Sequence, residues 1–248
     1  MVLAPVRVGS KGARSEHDCV YQSLRERLLI GSIQPGRPVT LRGMAKTLNA
    51  GIMPVRQAVN RLIAERALEM QETKRVCVPA MTPSKFDQIV SARCYLEPEL
   101  ALRALPNITP SALALIQEID AQMRIATLEG DAEGFMRGNF NFHFAIYRHS
   151  DAELLIGLLE SVWLQLGPFM RLAYGRSGLA DLKNEHANIC KALDTGNGHM
   201  LAEFIRKDIL TGMRRTGTMA LPAQAPAPKE IEPAKRKAKR SLSKPELA

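Results

Sequence analysis

One stretch, Leu41–Arg66 (LRGMAKTLNAGIMPVRQAVNRLIAER), constrains this chain more than any other. Leu41, Met44, Ala45 and Leu48 recur at i, i+3, i+4 and i+7, the spacing of one apolar helix face. Asn49-Ala50-Gly51 breaks the pattern, because Asn and Gly readily take the left-handed conformation that ends a helix. Pro54 suits the first turn of a second helix, where its missing N–H leaves no bond unmade. Val55, Val59, Leu62 and Ile63 form that helix's inward stripe, and Arg56, Gln57, Asn60 and Arg61 lie off it. Two short helices around a Gly-containing turn, the second showing Arg, Gln and Asn, make a helix-turn-helix whose second helix fits the major groove of DNA.

The flanking sequence extends the unit. A helix over roughly Glu16–Ile30, ended by Gly31, precedes it. Two short β-prone segments follow, ALEM and RVCV, around a polar turn with Lys74 and Arg75 near its tip. Three helices and a hairpin predict a winged helix-turn-helix over 16–79, behind a flexible arm at 1–15.

Charge is placed to match. The net charge is +9, and residues 1–79 carry 13 Lys/Arg against 6 Asp/Glu. Residues 80–219 are close to neutral, and 220–248 are basic again. A basic head beside a neutral second unit is the electrostatic footprint of a DNA-binding protein. The segment 218–248, rich in Pro, Ala and Lys, lacks the apolar residues needed to order itself and reads as a disordered basic tail. The four cysteines are scattered with no C-x-x-C pair, which suits reduced thiols and a cytoplasmic setting. No uninterrupted apolar run approaches the roughly 18 residues of a membrane span, so no membrane partner is expected.

Residues 80–83 read as a linker, with Thr82 placed to cap a new helix and Pro83 at its first position. From there the pattern is helical throughout, with six helices. They are expected from Phe86 to Pro106, from Thr109-Pro110 to Gly130, over Asp131–His149, over Asp151–Leu172 with a kink at Gly167-Pro168, over Leu179–Leu193 and from His199 to about Arg215. The fold class is therefore mostly α: a winged helix-turn-helix followed by an all-α bundle over 84–217.

Within that bundle Asn139 and His143 share a face at i, i+4, while His186 and Asp208 sit on the fifth and sixth helices. If those faces converge, they form an N/O ligand set for Zn²⁺, Ni²⁺ or Mn²⁺. Arg93, one turn before Glu97, would offer a fork to a small carboxylate. Spacing alone leaves the alternative open that both histidines are structural. Trp163, among Leu159, Val162 and Leu166, reads as core.

The segment MAKTLNAGIMPVRQAVNRLIAERALE followed by RVCVP resembles the GntR family of bacterial transcription regulators. RCYLE at 93–97, NFNFH at 139–143, EHANICKAL from Glu185 and IRKD ending at Asp208 resemble the FCD domain of its FadR-like branch. The resemblance implies a homodimeric regulator, expected to be a repressor. It would bind a pseudo-palindromic double-stranded operator under the control of a small carboxylate effector. It further implies DNA contacts from Arg42, Arg56, Lys74 and Arg75, effector binding by Arg93, and a metal at Asn139, His143, His186 and Asp208.

Two departures stand out. Many members place Ser-Arg-Thr before Pro-Val-Arg, where this chain has Gly51-Ile52-Met53, so Ile52 offers only an apolar contact such as to a thymine methyl. The usual ligand order of Asp, His, His, His reads here Asn, His, His, Asp, moving the carboxylate from the third bundle helix to the sixth. A competing function is a metal-dependent enzyme acting on small carboxylic acids, with the winged helix as an interaction module.

Overall fold

A computed structural model describes residues 15–177 and 184–220. Most of the expected arm and of the basic tail lie outside them, as do residues 179–183 of the expected fifth bundle helix, which among the described residues begins at His186.

The head is built from α1 (Glu16–Leu29), α2 (Leu41–Leu48), α3 (Ile52–Ala64) and a hairpin of β1 (Glu69–Met70) and β2 (Val76–Cys77). Its local chemistry follows the sequence. Ser15 and Thr40 cap α1 and α2 by accepting the Asp18 and Gly43 amides. Asn49 ends α2 in the left-handed conformation at φ 50°. The hairpin pairs antiparallel, Glu69 with Cys77 and Met70 with Val76, and Val39 bridges to Val76 from the other side. Val55, Ala58, Val59 and Leu62 turn inward from α3 and pack with Val20, Leu24 and Leu28 of α1 into one core.

The second part comprises α4 (Pro83–Ala104), α5 (Pro110–Leu128), α6 (Ala132–Tyr147), α7 (Glu153–Ser177), α8 (His186–Asp194) and α9 (Gly198–Ala220). Thr82 and Thr109 cap α4 and α5 ahead of Pro83 and Pro110. α7 runs as one helix through Pro168. On α5 Ile125 is 55% exposed, whereas Asp120 takes a buried place between Ile116 and Met123.

Glu153–Gly175 is long and apolar enough on average to cross a membrane, although Glu160, Ser161 and Gln165 interrupt the apolar run. Here it is a core helix. Leu159, Trp163, Leu164, Leu166, Phe169 and Met170 are buried against the surrounding helices.

α7 also carries the head. α1 packs along it, with an Arg25–Glu160 ion pair at 2.8 Å and the Ser161 hydroxyl donating to the Glu65 carbonyl at 3.0 Å. Where the two helices cross, a Cβ on Gly167 would lie 2.4 Å from the Leu28 carbonyl oxygen, and one on Gly31 would lie 2.2 Å from Arg171 Cβ. Glycine on both sides lets the two helices approach backbone to backbone. Gly31 has a second reason to be glycine, since it ends α1 at φ 69°.

Candidate functional site

Two sites emerge, one on the head and one inside the bundle. On α3, Arg56, Gln57 and Asn60 are exposed on the side away from the core. Arg42 is exposed in the first turn of α2. Lys74 and Arg75 stand at the hairpin turn, where the Gln71 amide bonds to the Arg75 carbonyl at 2.8 Å and Lys74 adopts φ 59°. Arg61 is placed differently. Its guanidinium lies 3.7 Å from the centre of the Tyr21 ring, and its Nε donates to Glu65 at 3.2 Å. That side chain ties α3 to α1, because it sits at the edge of the outer face nearest the first helix.

The bundle brings together the residues that spacing could only suggest. His143 and His186 are fully buried, and Asp208 lies between them. His143 Nε2 is 3.3 Å from Asp208 Oδ2, and His186 Nε2 is 3.9 Å from Asp208 Oδ1. One ligand atom from each of the three residues falls within 4.8 Å of the others. Asn139, one turn before His143, lines the same small cavity as Arg93 and Asp208, together with Met170, Tyr174 and Gly212.

The surrounding hydrogen bonds settle which ring nitrogens face inward. His186 Nδ1 lies 2.9 Å from Asp120 Oδ1, an acceptor, so this nitrogen carries the proton. The Tyr147 hydroxyl donates to Glu97 at 2.7 Å and therefore accepts from His143 Nδ1 at 3.2 Å. Both Nε2 atoms therefore face Asp208, buried and, among the described residues, without a hydrogen-bond partner. Burial alone would raise the Asp208 carboxyl. His143, His186 and the Glu185 amide instead hold it well below the usual carboxylate range, so it stays a carboxylate. Two buried ring nitrogens without hydrogen-bond partners, set against one buried carboxylate, make a cluster that a cation would satisfy. The donor set of two imidazoles and a carboxylate, each imidazole oriented by its own partner, fits a divalent transition metal.

Arg93 is less free than its motif suggests. Its Nε and Nη2 are held by Glu97, its Nη1 faces Met213 Sδ at 3.4 Å, and its guanidinium lies 4.4 Å from the centre of the Trp163 ring. Burial would lower the Arg93 pKa, but Glu97 more than reverses this and raises it. Glu97 also accepts from Trp163 Nε1 at 3.1 Å, so Trp163 is both core and polar partner. The Tyr147 hydroxyl is pushed well above the ordinary phenol value, by burial first and then by Glu97.

Sequence reasoning passed over Asp120, Tyr147 and the indole N–H of Trp163. Asp120 had a readable signal: a carboxylate on the inner face of α5, at i+4 from Ile116. Tyr147 had one too, at i+4 from His143.

Comparison with known proteins agrees with this architecture. Residues 17–78 match the model of bacterial regulatory proteins of the gntR family, and 88–210 match the FCD domain. The HTH-type transcriptional regulator McbR of Escherichia coli K12 is 31% identical over 197 residues, covering 77% of this chain and 89% of that protein. The gluconate operon transcriptional repressor of Bacillus subtilis 168 is 23% identical over 175 residues, 71% of this chain and 70% of its own length. The solved structure of E. coli McbR/YncC superposes with a TM-score of 0.79 at 26% identity, over 83% of this chain and 98% of that one. A GntR regulator structure from Rhodococcus sp. RHA1 shares the fold, with a TM-score of 0.66 at 17% identity and coverage of 82% and 98%. With a basic winged-helix head, a bundle enclosing a polar site, and these relatives, the chain belongs to the GntR family of bacterial transcriptional regulators and carries an FCD effector-binding domain.

Proposed function

We propose that this regulator binds its operator as a homodimer in the cytoplasm and that a small carboxylate, bound beside a divalent metal, sets its affinity. The observation that carries the reading is the pair of buried, unpartnered imidazole Nε2 atoms aimed at Asp208. His143, His186 and Asp208 would hold the metal, with Asn139 beside them. The metal would supply a positive centre for a carboxylate, and Arg93 Nη1 would add a donor from the cavity wall.

The cavity measures about 30 Å³, room for an ion or a water but not for an organic acid. An effector must therefore displace the wall, which includes Met170 and Tyr174 of α7. α7 is also the helix on which α1 rests, so the displacement reaches the head. Only a ligand with different affinities for the two arrangements can shift the balance between them. On DNA, Arg56, Gln57 and Asn60 would read base edges, while Arg42, Lys74 and Arg75 would hold phosphates or the adjoining minor groove. For self-association, Tyr95 of α4 and Leu154 and Leu158 of α7 stand exposed on two helices that pack together, and would offer apolar contacts to a second copy.

The test combines three measurements on the full-length protein. Light scattering should give a dimer, and elemental analysis should give about one divalent metal per chain. Small carboxylic acids that raise the melting temperature of the metal-loaded protein should also change operator affinity. Failure of every metal to bind after loading with Zn²⁺, Ni²⁺ and Mn²⁺ would remove the metal from the reading.

A further inference from the structure

The outer face of α3 begins with hydrocarbon. Ile52 and Met53 are 42% and 59% exposed. At about 100° per residue, Ile52, Arg56, Asn60, Met53 and Gln57 fall on one continuous arc, opposite the buried Val55, Ala58, Val59 and Leu62. Neither Ile52 nor Met53 joins the core, so folding does not account for placing them among the polar readers. Ile52 borders a shallow depression with Ala45 and Ala50 in its floor and Arg42 and Lys46 at its rim.

The start of α3 also carries a carboxylate. A free helix N-terminus offers its amides to anions, but here the Gly51 N–H donates to Glu16 Oε1 of α1 at 3.1 Å. That carboxylate satisfies the amide and repels a second anion. Beside it, the outward-facing side chains at this end of the helix, Ile52 and Met53, are apolar. Among base edges in the major groove, the apolar feature that distinguishes one pair from another is the thymine C5 methyl.

We propose that Ile52 and Met53 are specificity-determining residues that read thymine methyl groups in each half-site, beside bases read by Arg56, Gln57 and Asn60. The proposal rests on α3 being the DNA-reading helix, and the experiment separates the two. Full-length protein is used to select operators from a random duplex library. Each thymine of the selected operator is then replaced by uracil, which removes one methyl and leaves every hydrogen-bonding group in place. Affinity is measured by fluorescence anisotropy at fixed salt.

The expected result is a loss of about fourfold per contacted methyl at one or two thymines per half-site. That loss should disappear in Ile52→Ala/Met53→Ala and persist in Arg56→Ala, which weakens binding to the thymine and uracil duplexes alike. No uracil penalty at any thymine for the wild type overturns the proposal without recourse to a variant. So does a penalty that survives in the double variant. If no duplex is selected, or if Arg56→Ala binds as well as wild type, the reading of α3 as the DNA helix fails first and takes the proposal with it.

Discussion

Trp163 donates its indole N–H to Glu97 across 3.1 Å, joining the buried polar site to helix α7. One turn further along the same helix, Gly167 lies against the Leu28 and Leu29 carbonyls of α1. A single rigid element therefore touches both the cavity wall and the first helix of the head. Coupling between effector and DNA needs such an element with two arrangements.

Gly167→Ala tests that crossing. Its Cβ would meet backbone oxygens at 2.4 and 2.7 Å, and backbone cannot swing aside as a long side chain can. The variant is expected to lose about 1–3 kcal/mol of stability and to weaken the effector's influence on DNA binding while retaining metal. Gly157→Ala is the control on the same helix. Its Cβ would meet nothing within 4 Å, so a gain of up to about 1 kcal/mol in helix propensity is expected. Thermal melts and operator titrations with and without effector distinguish the two.

Glu97→Ala should be among the most damaging single changes. Glu97 accepts from Arg93, Tyr147 and Trp163, and its loss leaves a buried guanidinium without its counter-charge. A cost of about 3–5 kcal/mol follows from breaking one side of a buried ion pair. Chemical denaturation of wild type and variant measures it. A loss below about 1 kcal/mol would mean that the pair is not buried in solution.

Metal affinity should depend on residues that do not touch the metal. His143→Ala and His186→Ala are expected to abolish binding. Asp120→Asn, which weakens the partner of His186 Nδ1, should cost about 10–100-fold. Calorimetric titration of metal-stripped protein reads both effects, and equal affinity for Asp120→Asn and wild type would separate Asp120 from the site.

On DNA, Arg56→Ala is expected to cost about 1–3 kcal/mol and to relax preference at one base position. Lys74→Ala and Arg75→Ala should instead weaken all sequences alike and each reduce the salt slope by about 1. Arg61→Ala should behave differently again. Its guanidinium is engaged by Tyr21 and Glu65, so its loss should show in head stability more than in base preference.

Tyr21 gives a pH-dependent contribution whose sign can be worked out. Burial and then its hydrogen bond to Glu65 push its pKa from 10 up to about 12. The folded state therefore favours the protonated phenol, and the stabilisation is fully present below pH 10 and lost as pH rises through about 12. Tyr21→Phe should cost about 1 kcal/mol at neutral pH and remove one late ionisation from the ultraviolet titration.

Much of this was legible in the residues themselves. The helix-turn-helix declares itself because helix period, a left-handed Asn and a first-turn Pro are local properties, and Asn49 at φ 50° and Pro54 in the first turn of α3 follow them. Thr82 and Thr109 mark helix starts for the same reason: a cap is made by a side chain and an amide three residues apart. The candidate metal residues were nameable through family resemblance, since four polar residues on three helices carry no local sign of meeting.

What only the tertiary structure decided depends on contacts between distant segments. Ring-nitrogen identity at His186 is set by Asp120, 66 residues away, and His143 and Glu97 meet through Tyr147. Arg61 lies off the apolar stripe and is 56% exposed, yet its guanidinium rests on Tyr21 of α1, a contact that no local sequence pattern announces. The closeness of Gly31 and Gly167 has no sequence period at all. Local sequence determines where each helix begins, ends and turns its apolar face, because those depend on neighbours a few bonds away. Which side chains share a buried site, and which helix carries a signal, is decided by packing across the whole chain.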